Sequence, residues 1–234
     1  MLGNFSKIKV ESGIELAYTE SSEFSLTVEA GTDKIMKNII TELEGNTLRV
    51  YYTKAEELHS VKVPLKVYVN ANNVDFFEAL TQSKLVFKNS VKSDAIKITV
   101  SSGASFIGTV AKNSKAMIRA DSGATVCGRF DTEYLHGNIK SGAIAVLSGT
   151  AKKATISTSS GACCKAKNLE TDDVSIFTKG LSSVQIYGQG KISAHAEAGS
   201  SISYFSKPDK ITLSPDSYSI TRNIKEAKMK LVHK

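Results

Sequence analysis

From Ile96 to Tyr204 the chain alternates apolar and polar residues with a period of two, and glycines interrupt the alternation at nearly constant intervals. Seven, five and three positions before those glycines stand Ile96, Ile98 and Val100, then Ala116, Ile118 and Ala120, then Leu135, Gly137 and Ile139, then Ala154, Ile156 and Thr158, and lastly Ile192, Ala194 and Ala196. One, three and five positions after them stand Ala104, Phe106 and Gly108, then Ala124, Val126 and Gly128, then Ala143, Ala145 and Leu147, then Ala162, Cys164 and Ala166, and lastly Ser200, Ile202 and Tyr204. Successive side chains of an extended strand point to opposite sides, so each repeat predicts two short strands with a single inward face.

The punctuating unit is Ser-Gly-Ala at Ser102, Ser122, Ser141 and Ser160, continued in degenerate form at Lys179-Gly180-Leu181 and Ala198-Gly199-Ser200. It places glycines at Gly103, Gly123, Gly142, Gly161, Gly180 and Gly199, at intervals of 20, 19, 19, 19 and 19. We read these as structural turns, because a tight bend needs glycine's backbone freedom and the preceding serine can bond its own backbone there. Around Gly180 the apolar positions slip by one, with Val174 and Ile176 before it and Val184 and Ile186 after it, which predicts a small insertion or bulge. A two-strand unit of this size cannot bury its apolar face alone and must stack on the next copy. The sequence therefore predicts an all-β, single-stranded β-helix, or β-solenoid, of coils about 19 residues long, about 4.8 Å apart and narrow inside.

Residues 4–80 predict strands without the glycine spacing, over Phe5–Val10, Ile14–Thr19, Phe24–Ala30, Thr47–Tyr52 and Val61–Asn70. Between them Ile35, Met36, Ile39 and Ile40 are spaced as a short helical turn that would cover the N-terminal end. Pro208 and Pro215 mark the end of the repeats, and the last residues are basic. The domain reading is a single solenoid over 1–220, with irregular coils or a cap at 1–80 and regular repeats at 81–206, followed by a capping strand or basic tail at 221–234.

Composition agrees: there is no Trp and there are 16 Gly, against three Pro, with abundant Ser, Thr, Val and Ile, the mixture of strands and turns. The longest uncharged stretch, Ile98 to Ala111, is 14 residues and rich in Ser, Gly and Thr, too short and polar to cross a bilayer. A net charge of +7 favours acidic partners such as uronic or phosphate-bearing polymers. Cys127, Cys163 and Cys164 are odd in number, two are vicinal, and none has zinc-site spacing, so they read as structural or free thiols.

No metalloprotease, nucleophile-elbow or phosphate-loop motif is present, and the four histidines are scattered, with His136 and His195 on outward slots of non-adjacent coils. No catalytic, cofactor or metal residues are assigned. In the outward slot two before the glycine stand Ser101, Asp121, Lys140, Ser159, Thr178 and Glu197, which puts Asp121 and Glu197 about 19 Å apart. That is too far for a hydrolase pair, which needs roughly 5 to 9.5 Å. Asp131, Glu133, Glu170, Asp172 and Asp173 read as solvated corner residues. Eight before the glycine, Lys115, Tyr134, Lys153, Asp172 and Lys191 should stack as a ladder along one edge. The lysines discourage lateral strand addition. With Tyr134 as a platform, Lys115, Lys153 and Lys191 are also the candidate ligand-binding residues for an anionic or sugar chain.

The opening Phe5-Ser-Lys-Ile-Lys-Val-Glu-Ser-Gly-Ile14, the segment Ile39-Ile-Thr-Glu-Leu-Glu-Gly-Asn-Thr-Leu-Arg-Val50 and the Ser-Gly-Ala series together resemble the GIN-domain family of auto-transporter adhesin heads, found in Bacteroidetes-type envelope proteins. With Gly13-Ile14-Glu15 in the place of the name-giving Gly-Ile-Asn, the chain departs at the third position. The resemblance implies a right-handed β-helix, export by a leader absent from this chain, residence at the envelope or outside the cell, and a binding role. The expected function is a non-enzymatic adhesion or recognition module. Its partner would be an extracellular polysaccharide or surface protein, not nucleic acid, with no cofactor. Two alternatives stand beside it: a polysaccharide lyase or hydrolase on a β-helix scaffold, and an envelope assembly protein whose copies stack as homo-oligomers.

Overall fold

A computed structural model describes residues 5–54, 65–214 and, for the backbone alone, 221–223. The chain is a β-solenoid of about seven turns with coils of about 20 residues. Its strands join into one 17-stranded sheet that winds around a single core. The regular part comprises β9 (Ala95–Val100), β10 (Ser105–Ala120), β11 (Thr125–Lys140), β12 (Ile144–Ser159), β13 (Cys163–Thr178), β14 (Ser183–Ala196) and β15 (Ser201–Tyr204), each paired in parallel with the next. A long strand such as β11 runs along the wall that follows one Ser-Gly corner, rounds a second bend, and continues along the wall that precedes the next corner.

The alternation predicted from sequence is the alternation observed. Ile98, Val100, Ile118, Ile139, Ile156, Ile176, Ile192 and their partners after each glycine are buried, and the residues between them face out. At each corner two successive residues adopt left-handed backbone, as in Ser102-Gly103 and Ser141-Gly142. The second residue's N–H donates to the first residue's carbonyl in the next coil: Gly103 to Ser122, Gly123 to Ser141, Gly142 to Ser160, all at 3.0 Å. The corners thus carry their own hydrogen-bond ladder and leave few backbone groups unpaired.

This ladder extends further N-terminal than the glycines do. Gly13 donates to the Thr81 carbonyl and Gln82 to that of Ser102, both at 2.9 Å, and Ser12, Thr81 and Gln82 are left-handed as well. Thus β1 (Lys7–Val10) with β2 (Glu15–Glu20), and β7 (Phe76–Ala79) with β8 (Lys84–Val91), are ordinary coils whose corners lack the Ser-Gly-Ala signature. The intervening segment folds back. β5 (Thr47–Tyr52) and β6 (Lys66–Ala71) pair with the outer edges of β1 and β2, so they form the level before the chain's first coil. They are covered in turn by β4 (Ile39–Glu44) on β5 and by β3 (Ser25–Glu29) on β6, both antiparallel. These two strands close the N-terminal edge that open sheets must protect.

The helical turn predicted from Ile35 to Ile40 is shorter than expected. α1 spans Asp33–Met36, capped by the Thr32 hydroxyl on the Ile35 N–H at 3.3 Å, and Ile39 and Ile40 already belong to β4. At the other end the repeat outlasts Pro208, because β16 (Lys210–Leu213) pairs with β14 in the same register, Lys191 opposite Lys210. β17 (Thr221–Asn223) pairs with β15; the rest of the tail, 224–234, lies outside the described residues.

The interior is not uniformly narrow. Tyr18, Phe77, Phe87, Phe106 and Phe130 form an aromatic column with successive centroids 4.9, 4.7, 4.9 and 6.5 Å apart, mostly edge-on as ring quadrupoles prefer. Gly108 and Gly128 make room for it, since a methyl group at Gly128 would stand 2.5 Å from the Phe130 ring. Beyond Phe130 the core is filled by Ala, Val, Ile and Leu, joined by hydroxyls: Thr158 donates to Thr178 Oγ1 at 2.6 Å.

Candidate functional site

The outward side of the wall that precedes each corner is a flat array in which neighbours come from successive coils. Its edge row runs Lys115, Tyr134, Lys153, Asp173, Lys191 and Lys210 by direct strand register. The four candidate residues Lys115, Tyr134, Lys153 and Lys191 therefore stand in one row, all exposed. The acid in that row is Asp173, not Asp172. β13 carries an extra residue near Ala166, where the register shifts, so counting back from Gly180 misplaces everything on that coil by one. Asp173 is partly occupied by its own row, its Oδ1 accepting from the Lys191 backbone N–H at 3.1 Å.

The same slip corrects the opposite edge of the array. The row is Ser101, Asp121, Lys140, Ser159, Lys179 and Glu197: Thr178 lies inside the core beside Thr158, and Lys179 takes the outward place. Asp121 is bonded to Lys140 at 3.0 Å. Burial pushes its carboxyl up, but hydrogen bonds from Lys140 and Ser141 outweigh that and hold it below the ordinary range. An acid so stabilised in its ionised form is a poor proton donor. Two acids of the second bend, Asp131 and Glu133, are likewise tied to neighbours. Asp131 accepts two bonds from Arg129 and one from Thr150, each at 3.1 Å, and Glu133 holds Lys152 at 2.6 Å.

Between the two edges the inner rows carry Lys97, Met117, Arg119, His136 and Asn138 on β9 to β11 and turn small and polar on β12 to β14, with Thr155, Ser157, Ser175 and Ser193. One aromatic ring breaks that surface. Phe177 follows Ser157 and precedes His195 in its row and is 51% exposed, its ring 6.3 Å from the imidazole. Beside it lies an open depression of about 460 Å³ lined by Asn138, Lys140, Ser159, Phe177, His195 and Glu197 among others. His195 Nε2 is hydrogen-bonded to Glu197 Oε1. His195 faces outward, as its place in the repeat predicts, but the repeat alone does not single out this cluster. Its signal was Phe177 itself, a large aromatic at an outward position of the alternation. His59 and His233 lie outside the described residues.

Cys127 is exposed, Cys163 half-buried and Cys164 buried, all as free thiols, so the vicinal pair does point to opposite sides. Among the described residues no group of three or more His, Cys, Asp or Glu could hold a metal ion, and no helix is long and apolar enough to cross a membrane.

The family model described as "Putative auto-transporter adhesin, head GIN domain" matches residues 4–208. Similar folds occur in solved structures from three Bacteroidetes species. A putative adhesin from Parabacteroides merdae superposes with a TM-score of 0.78 at 16% identity, covering 96% of this chain and 93% of that one. A putative lipid binding protein from Parabacteroides distasonis gives 0.75 at 13% identity, covering 96% and 94%. A putative adhesin from Bacteroides fragilis gives 0.70 at 19% identity, covering 95% and 94%. No curated protein matches the chain.

Proposed function

Because the chain belongs to the family of auto-transporter adhesin head GIN domains, we propose that it is a non-enzymatic adhesion module of the cell envelope that grips an extended glycan along its solenoid. The observation that carries this reading is the edge row of Lys115, Tyr134, Lys153 and Lys191. Coils about 4.8 Å apart repeat a cation or a ring along a straight line, broken at one coil by Asp173, and an extended polymer repeats its own groups in the same way. Many weak contacts along one line add up to useful avidity even when each is modest. The ties that hold Asp121, Asp131, Glu133 and Glu197 favour binding over cleavage.

The test is a binding screen of the purified protein against uronic and neutral polysaccharides at low and high salt, with product analysis on each hit. Saturable, salt-weakened binding that falls when Lys115, Lys153 and Lys191 are replaced together by Gln supports the reading. Depolymerised product would replace it with the lyase or hydrolase alternative, and silence across the panel would sink the glycan claim.

The opposite wall favours a second reading. There Ile107, Cys127 and Val146 follow one another in a row beside Ile144, and the three aliphatic side chains are 46%, 38% and 41% exposed in the order Ile107, Val146 and Ile144. A contiguous apolar patch on an otherwise polar surface marks a contact site for lipid or protein, and one similar structure is that of a putative lipid binding protein. Co-sedimentation with anionic and zwitterionic vesicles, lost on Ile107→Ser with Ile144→Ser, would support it.

A further inference from the structure

We infer that the depression beside Phe177, four strand residues or about 13 Å across the array from the edge row, is a subsite for a single carboxylate-bearing sugar unit, a uronate, of a glycan; this rests on the glycan reading and specifies its chemistry.

The site is built from three kinds of group. Phe177 presents its ring to solvent from a stiff, doubly paired strand, and its position is fixed on both sides by Ser157 and His195. An aromatic face carries negative charge density, which the polarised C–H groups of a pyranose complement. Exposing such a ring in water gains nothing for folding. Around it stand an amide, hydroxyls, an imidazole and a carboxylate, from Asn138, Ser157, Ser159, His195 and Glu197, a mixture of donors and acceptors that matches sugar hydroxyls. Small Ser157 and Ser159 on the neighbouring coil leave the hollow that Phe177 walls.

Charge selects among sugars. Two ammonium groups, Lys140 and Lys179, and one carboxylate, Glu197, line the depression. Lys140 is engaged by Asp121 at 3.0 Å, and Glu197 is engaged by His195. Lys179 makes no ion pair among the described residues, although it stands next to Glu197 in the row. It is therefore the cation of the hollow available to an incoming anion, two residues or about 7 Å along the strand from the aromatic platform. A carboxylate there would gain a charge-assisted hydrogen bond, stronger than the neutral bond that a hydroxymethyl group offers.

The experiment is isothermal titration of the whole protein with galacturonate, mannuronate and glucuronate-based hexamers and with their carboxyl-reduced counterparts, for wild type, Phe177→Ala, Lys179→Gln and the triple Lys115/Lys153/Lys191→Gln variant. All substitutions are at exposed positions, and unchanged thermal midpoints verify folding. We expect at least one uronate hexamer to bind, at least tenfold more tightly than its reduced form, with a tenfold or greater loss for Phe177→Ala and for Lys179→Gln, the latter only toward the acidic form. Wild-type binding that ignores both substitutions but falls in the triple variant would overturn this subsite while leaving the glycan reading intact. Equal binding of acidic and reduced forms would overturn the uronate assignment. No binding by any hexamer or by the polysaccharide panel would overturn both.

Discussion

The Gly161 N–H donates to the Gly180 carbonyl at 2.8 Å, so Gly180 stands in the corner slot that serine fills in the preceding coils, and the glycine slot falls to Leu181. Leu181 accordingly has φ 59° and lies 79% exposed. A branched side chain in left-handed backbone costs roughly 1–2 kcal/mol, and so exposed a leucine recovers little by burial. Leu181→Gly should therefore stabilise the protein by about 1 kcal/mol, or about 2–4 °C in thermal midpoint for a chain of this size. A midpoint unchanged or lowered by the substitution would show that the corner is relaxed around leucine.

The two kinds of bend differ in what they tolerate. A methyl group at Gly142, a Ser-Gly corner with φ 72°, would meet nothing within 4 Å, whereas the same methyl at Gly149, φ 107°, would lie 2.2 Å from the Phe130 carbonyl oxygen. Gly142→Ala should cost about 1 kcal/mol, the conformational contribution alone. Gly149→Ala adds a backbone collision that only displacement of a neighbouring coil can relieve, so we expect it to cost about 3 kcal/mol or more. Urea midpoints of the two variants check the order, and equal losses would refute the collision.

What was legible before the fold was known followed from physical periodicity. Burial of alternate residues and stacking of coils leave a mark on every repeat, so the walls, corners and the row Lys115–Tyr134–Lys153–Lys191 were readable from spacing. Three features were not. The N-terminal corner Thr81-Gln82 has left-handed residues without glycine, held by the same hydrogen bonds as its neighbours, and composition does not announce it. The fold-back that places β5 and β6 outside β1 and β2 is a matter of chain order in space, which periodicity cannot encode. On β13 the inward positions of Val174, Ile176 and Thr178, not Gly180, hold the register, so Asp173 takes the place of Asp172 in the edge row and Thr178 lies in the core. The Phe177 hollow follows from that third feature: only the corrected register turns Phe177 and Lys179 outward, beside His195 and Glu197.

The three thiols should react in a fixed order. Burial in the core pushes the Cys164 thiol up to about 12, with the neighbouring Cys163 adding to the shift, so at pH 8 it is neither ionised nor accessible. Cys127 is exposed and Cys163 half-buried. In native protein an aromatic disulfide reagent should modify Cys127 first, Cys163 more slowly and Cys164 only after denaturant is added. Mass spectrometry of the labelled peptides reads the order, and equal labelling of Cys163 and Cys164 would contradict the opposed placement of the vicinal pair.

Glu20 sets a pH dependence of stability at the N-terminal coils. Its Oε2 is buried without a hydrogen-bond partner, and burial raises its carboxyl above 4.5, only partly offset by the nearby Tyr18 hydroxyl and Lys92. A carboxyl whose folded value is raised binds its proton more tightly in the native state than in the unfolded chain. The native state is therefore favoured in full below pH 4.5, and that advantage is lost as pH rises through the folded value, leaving a partly buried charge at neutrality. Glu20→Gln keeps the shape and removes the charge. It should raise the urea midpoint at pH 7, and the gain should shrink toward zero at pH 4, while the contributions of other groups cancel between the two proteins. A difference between them that stays constant from pH 4 to pH 7 would show that the carboxylate is solvated in the native state.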